Sequence, residues 1–219
     1  PSNTGGRDWI AAIQGGTPVG TLLHLYFKEG DRGLTFQNYA VNRLSVEARE
    51  GELIRASAEF WAGGGATWPV GVKDYVDWTP TGAYGDRQLT PYRWSASDLY
   101  IGGGPERDNW WSWRYEVNNN LQRLGNVNDG GTRHIKARHR DVSGLIVMDL
   151  EDFAEYGDIA DLVAEMTYFN ITIELDTVDL LKCDYCRWGR LEAPSGPEDL
   201  IAKRFPFTAT DLTSLTAPP

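Results

Sequence analysis

Cys183 and Cys186 are the chain's two thiols, and their CxxC spacing supplies half of a tetrahedral metal site. A structural zinc needs four ligands, usually from a second such pair or from two histidines. His134 and His139 have a suitable spacing, but they sit far away in a polar loop, and His24 is alone. A redox CxxC requires a strand running into a helix, and that context is missing here. The favoured reading is two reduced cysteines flanking a strand turn, with no metal and no cofactor.

Thr132–Arg140 (TRHIKARHR) concentrates Arg133, Lys136, Arg138 and Arg140 in an otherwise acidic chain. Such a patch marks nucleic-acid contact when the whole domain is basic, which this one is not. The rival reading is a basic arm laid on an acidic surface of an identical neighbour, where opposite charge fixes register. Trp110, Trp111, Trp113 and Tyr115 form an aromatic cluster that could stack on sugars. The favoured reading is that Trp111 and Trp113 lie on one strand face and pack in a core or at a subunit interface. Asp149/Glu151 and Asp158/Asp161 have the look of acid–base couples. At a helix start or on an exposed helical face, such pairs are caps and solvated charge. GxSxG, P-loop and HExxH motifs are all absent, so catalysis is not expected.

The elements that carry these residues read mainly as β. Strands are expected at Thr21–Phe27, Leu34–Ala40, Arg43–Ala48, Leu53–Ala62, Tyr92–Ile101, Trp111–Asn120, Val142–Leu150 and Asn170–Val178. Closing strands should fall within 183–191 and 199–209, and Val72–Val76 reads as a short edge strand. Arg43–Ala48 and Leu53–Ala62 should form a hairpin around Glu50–Gly51–Glu52, with Ile54, Ala56, Ala58 and Phe60 on one face. A helix is predicted from Asp152 to Met166: its apolar residues recur at three and four, and Asp152 and Glu155 match a capping box. Between two of the strands lies Leu121–Arg140, twenty polar, Gly-rich residues. Such loops usually have a function, and this one, too long, polar and Gly-rich to pack within its own sandwich, is expected to be mobile in the free chain.

The domain reading is an N-terminal arm over 1–20, one domain over 21–212 with a connector at 63–90 and an arm at 121–140, and a tail at 213–219. The chain has 219 residues, enough to bury a sizeable core, and no apolar run long enough to span a membrane. Pro1 after a removed initiator Met suggests an unprocessed soluble protein made in a cytoplasm. The formal charge is −10, with sixteen Arg against five Lys. A chain this acidic should not wrap DNA, though DNA could pass it without sticking.

WSWRYEVNNNLQRL (Trp111–Leu124) and RHIKARHRDVSGLIVMDLEDFAEYGD (Arg133–Asp158) resemble the core of tail tube proteins of long-tailed bacterial and archaeal viruses. The shared pattern is a strand ending in an Asn-rich turn (Asn118, Asn119, Asn120), a basic extended loop, a V-x-G strand (Val142–Gly144) and a short helix. YRWSASDLYIGG, NITIELDTVDLL and the closing F-x-A segment (Phe207–Ala209) are similar too, so the likeness spans about residues 92–212 and part of the N-terminal half. The connector at 63–90 and the CxxC depart from the pattern.

The resemblance implies an all-β sandwich with one flanking helix and a long hairpin arm, whose strands join an oligomeric barrel. Rings of six copies, or of three if the chain carries a duplicated fold, would stack into a tube that conducts viral DNA. Implied partners are further copies of the chain, tail tip, tape measure and tail terminator proteins, and DNA in transit without specific binding. The expected location is the virion, with synthesis in the host cytoplasm and no membrane insertion. Asn118, Asn119, Asn120, Arg133, Lys136, Arg138 and Arg140 are then the arm's interface residues. Glu47, Glu59, Glu174 and Asp176 are candidates for an acidic lumen. The alternatives are a virion-borne carbohydrate-binding or host-recognition sandwich and a β-rich hydrolase.

Overall fold

The computed structural model describes residues 23–29, 32–62, 73–77, 92–126, 131–136, 138–149, 168–175, 178–189 and 202–212. The predicted helix, the N-terminal arm, the C-terminal tail, most of the connector and Asp176 lie outside them. The described strands are β1 (Leu23–Glu29), β2 (Arg32–Arg49), β3 (Arg55–Ala62), β4 (Lys73–Asp77), β5 (Ser97–Ile101), β6 (Glu106–Arg107) and β7 (Trp110–Asn118). After them come β8 (Gln122–Asn126), β9 (Gly131–Lys136), β10 (Asp141–Asp149), β11 (Phe169–Leu175), β12 (Val178–Trp188) and β13 (Ala202–Leu212). The only described helical residues are one 3-10 turn, Trp94–Ala96, just before β5.

Eleven of these strands form one sheet, ordered β1-β2-β7-β10-β13-β12-β11-β5-β6, with β3 and β4 also on β2; β8 and β9 pair separately. Every pairing is antiparallel. The long β2 carries β1 and β7 along one edge and β3 and β4 along the other, since Tyr39 pairs with both Leu23 and Ala62. The sheet curls into a half-barrel, so that β5 comes round to face β7. There the indole of buried Trp113 donates to Ser97 Oγ at 3.4 Å, and Trp94 packs on Trp110 at 5.1 Å.

Alternation decides what fills the interior. Leu44, Val46 and Ala48 of β2 point inward with Tyr115 and Val117, Ile146 and Met148, Phe205 and Phe207, and Ile171 and Ile173. Each such large apolar side chain contributes about 1.5–3 kcal/mol of burial. The hairpin expected around Glu50–Gly51–Glu52 is present, with Gly51 at φ +75° and Ala58 and Phe60 of β3 packed against the core.

Two of the sheet's bulges re-aim residues singled out in the sequence. A register shift between Val147 and Met148 on β10 pairs Met148 with Trp110, so Trp110 and Trp113 are the buried indoles, while Trp111 is half-buried. Trp111 and Trp113 therefore do not share a face, which corrects the sequence reading. On β12, residues three apart would normally face opposite ways. Tyr185 takes φ +55°, and the pairing with β11 slips by one residue there, so Cys183 and Cys186 both turn into the core. A bulge re-aims side chains in just this manner, and Tyr185 is left on the surface beside Tyr168.

The neighbouring Cys186 thiol and burial push the Cys183 thiol well above the ordinary cysteine range. Unfolded Cys183 ionises from about pH 8.5, while the folded thiol stays neutral, so its contribution to stability is intact below that pH. Above it, stability should fall by up to about 1.4 kcal/mol per pH unit. The matching expectation is that neither thiol reacts with an aromatic disulfide reagent at pH 8 until denaturant unfolds the chain. Fast labelling of native protein would contradict the buried pair.

Candidate functional site

The loop over Leu121–Arg140 begins where β2 bulges. A register shift between Val41 and Arg43 leaves Asn42 out of the ladder, and its freed groups become the socket for the loop. Asn42 O accepts from Asn119 N at 2.8 Å, and its side-chain oxygen accepts from Leu121 N at 3.0 Å. Asn119 Nδ2 donates to Val41 O at 2.9 Å, while its Oδ1 accepts from Arg140 Nε at 3.2 Å. Asn120 turns at φ +46°, a conformation asparagine tolerates better than most residues, and bridges to His139 O at 3.0 Å and Asp141 Oδ2 at 2.6 Å. Its own N–H donates to Asn118 Oδ1 at 3.0 Å. The three consecutive asparagines thus tie both ends of the loop to β2.

Beyond this root the chain forms a hairpin, β8 against β9, which is the hairpin arm implied by the resemblance. Leu121 and Ile135, one at each side of the base, bury against Ala40 with Trp61 packed alongside. Arg123 lies 4.7 Å over the Trp61 ring, and Trp61 Nε1 donates to Glu59 Oε1 at 2.6 Å. The arm is therefore seated on its own sheet, which differs from the expectation that it cannot pack there. Two apolar residues and one cation on an indole are enough, because the ladder satisfies the backbone. Ile135→Ala should loosen this seat by about 2 kcal/mol. Amide exchange would then quicken in β8 and β9 but stay slow in β7 and β10; uniform acceleration would count against a separate seat.

Among the basic residues, Arg140 is engaged at the root, Lys136 and Arg138 are exposed, and Arg133 lies on β9. The sequence reading missed Asn42, Trp61, Arg123, Leu121 and Ile135. Only the last two left a signal, as isolated apolar residues near each end of a polar run.

The lumen candidates separate. Glu47 and Glu59 sit on adjacent strands, on the face of β2 and β3 turned away from the core. Glu174 is half-buried on β11, across the curl, opposite Asp98 of β5. Burial and the carboxylates of Glu174, Glu106 and Asp98 push the Tyr100 phenol up.

Glu47 and Glu59 are set among arginines. In register across β3, β2 and β7 the rows read Arg55–Glu47–Arg114, Ser57–Ser45–Glu116 and Glu59–Arg43–Asn118. Arg43 donates to Glu116 at 2.6 Å, Arg114 lies 3.6 Å from the same carboxylate, and Arg49 lies 3.6 Å from Glu47. The pairing with Glu116 holds the Arg43 guanidinium above its ordinary range. Arg43, Ser45, Ser57, Ala58, Glu59, Arg114 and Glu116 line a shallow groove of about 360 Å³.

Among the described residues, no group of three or more His, Cys, Asp or Glu gathers to hold a metal, and no helix is long and apolar enough to cross a membrane. The indoles of Trp110 and Trp113 are in the core, where they cannot stack on a sugar. Tyr168 and Tyr185 remain exposed, edge to face at 86°, with Arg187 4.1 Å over the Tyr168 ring.

No sequence-family model matches the chain, and no curated protein does. Two solved structures are similar in strand arrangement over part of it. One chain comes from the virion of a native gene transfer agent particle, with TM-score 0.47 and 11% identity, covering 55% of this chain and 96% of that one. The other is from the tail of an empty gene transfer agent particle with C6 symmetry, with TM-score 0.47 and 12% identity, covering 56% and 95%.

Proposed function

We propose that this chain is a structural subunit of a viral tail, assembling into rings that stack as a tube for DNA. The observation that carries this reading is a rooted hairpin arm on a sheet with open edges. β3 pairs only with β2, and β6 only with β5, among the described residues. The β3 strand, RASAEFWA, has neither Pro nor Lys to blunt its edge. A monomer gains nothing from such an edge, whereas ring closure removes it. The resemblance over about residues 92–212 supports the same reading. Its finer content is hexameric rings, the tail tip, tape measure and terminator partners, and the arm as the contact between subunits.

Exposed Tyr168 and Tyr185 favour the carbohydrate-binding alternative, but an edge-to-face pair offers a sugar no flat platform. Negative-stain microscopy of concentrated purified protein tests the main reading, with rings or tubes as the expected result. A chain that stays monomeric by light scattering across salt and concentration would refute it. Glycan binding lost on replacing Tyr168 and Tyr185 with alanine would support the alternative.

A further inference from the structure

We infer that the outward face of β3, β2 and β7 is a charge-balanced surface over which a nucleic acid slides, with its glutamates masking its arginines. The inference rests on the tube reading and specifies how that conduit treats its cargo. In a chain of net charge −10, the nine positions in register on this face hold Arg43, Arg55 and Arg114 against Glu47, Glu59 and Glu116. Opposite charges alternate along β2 and across it, and the remaining positions are Ser45, Ser57 and Asn118. No apolar side chain interrupts the pattern.

The arginines are exposed but occupied. Arg43 and Arg114 share the half-buried Glu116, Arg49 leans on Glu47, and Arg55 lies 3.5 Å from Glu52. Exposed ion pairs of this kind contribute little to stability, so stability alone does not account for so regular an array. Their effect on a passing polyanion is larger. A free guanidinium grips phosphate through two parallel hydrogen bonds and would trap the strand. A wall of bare carboxylates would repel it at long range. Paired charges do neither, because the field of a neutral pair fades faster than that of a single charge and is then screened within about 8–10 Å.

The test removes the masks. Glu47→Gln with Glu116→Gln should uncover Arg43, Arg49 and Arg114. Binding of a short DNA duplex at 50 mM salt, measured by fluorescence anisotropy on dispersed protein, should tighten by about tenfold or more. The salt dependence should steepen by a slope of roughly 2–3, as for two or three new phosphate contacts. The control, Glu106→Gln with Asp184→Asn, makes the same change in net charge on other strands and should gain much less. Equal gain in both variants, or none in the first, overturns the inference. Should the loss of Glu116 prevent folding, Glu47→Gln alone, with Glu106→Gln as its control, uncovers Arg49 and should steepen the slope by about 1. Tube formation is scored separately by microscopy. Tubes without unmasking sink this inference alone, and unmasking without tubes sinks only the assembly reading.

Discussion

Gly144→Ala should cost about 3 kcal/mol, the upper part of the range for overpacking a core, and lower the melting temperature by about 6–12 °C. Gly144 sits mid-strand in β10, paired with Tyr115 on one side and Phe207 on the other. A Cβ there would run into the Phe207 ring and come within 2.6 Å of the Arg114 carbonyl oxygen. The ring is almost fully buried and the carbonyl belongs to a central strand, so neither can step aside. The missing side chain is the space that Phe207 fills. Circular dichroism melts would check this, and an unchanged midpoint would mean that the sheet relaxes there. A paired change, Gly144→Ala with Phe207→Leu, should recover part of the loss, which a backbone clash alone would not allow.

Shortening the arm should have the largest effect on assembly. Replacing Gly125–Thr132 with a two-residue Asn-Gly turn keeps Leu121 and Ile135 in their seat and removes only the outer part of the hairpin. A wider deletion over Asn126–Lys136 takes Ile135 with it and confuses assembly with local unfolding. The shortened protein should melt within about 2 °C of the parent, since surface changes away from the core move stability little. It should also fail to form tubes at concentrations where the parent does. Ordering a free loop costs about 1–2 kcal/mol per residue, and the rooted base removes much of that cost before any neighbour arrives. Normal tubes from the shortened protein would show that the arm is not the assembly element.

Much of the strand pattern was legible in the sequence. Arg43–Ala48 and Leu53–Ala62 alternate strongly around a glycine turn and pair as expected, and Gly144 stood out within a V-x-G strand. The bulges at Asn42, Trp110–Trp111 and Tyr185 were not legible, because one extra residue in a ladder has no propensity of its own. It is fixed by the partner strand. The same limit hid the arginines facing Glu47 and Glu59. Arg114 is more than sixty residues from Glu47 in the chain, and only register makes them neighbours. The arm reads as a loop because its two strands carry only one large apolar residue each, Leu124 and Ile135, so alternation gives no signal there.

The asparagine root has a mechanical consequence. β8 has five residues, so its far end stands roughly 17 Å from the base at 3.3 Å per residue. Both ends of the hairpin are bonded to β2, β7 and β10, so the hairpin must tilt with the sheet. A change in curl of only 10° at the base would swing that far end by roughly 3 Å, about one residue's rise along a strand. In the proposed tube, bending of one subunit would then reach its neighbour as a shift in register, and the hairpin would act as a pointer that reports strain along the stack.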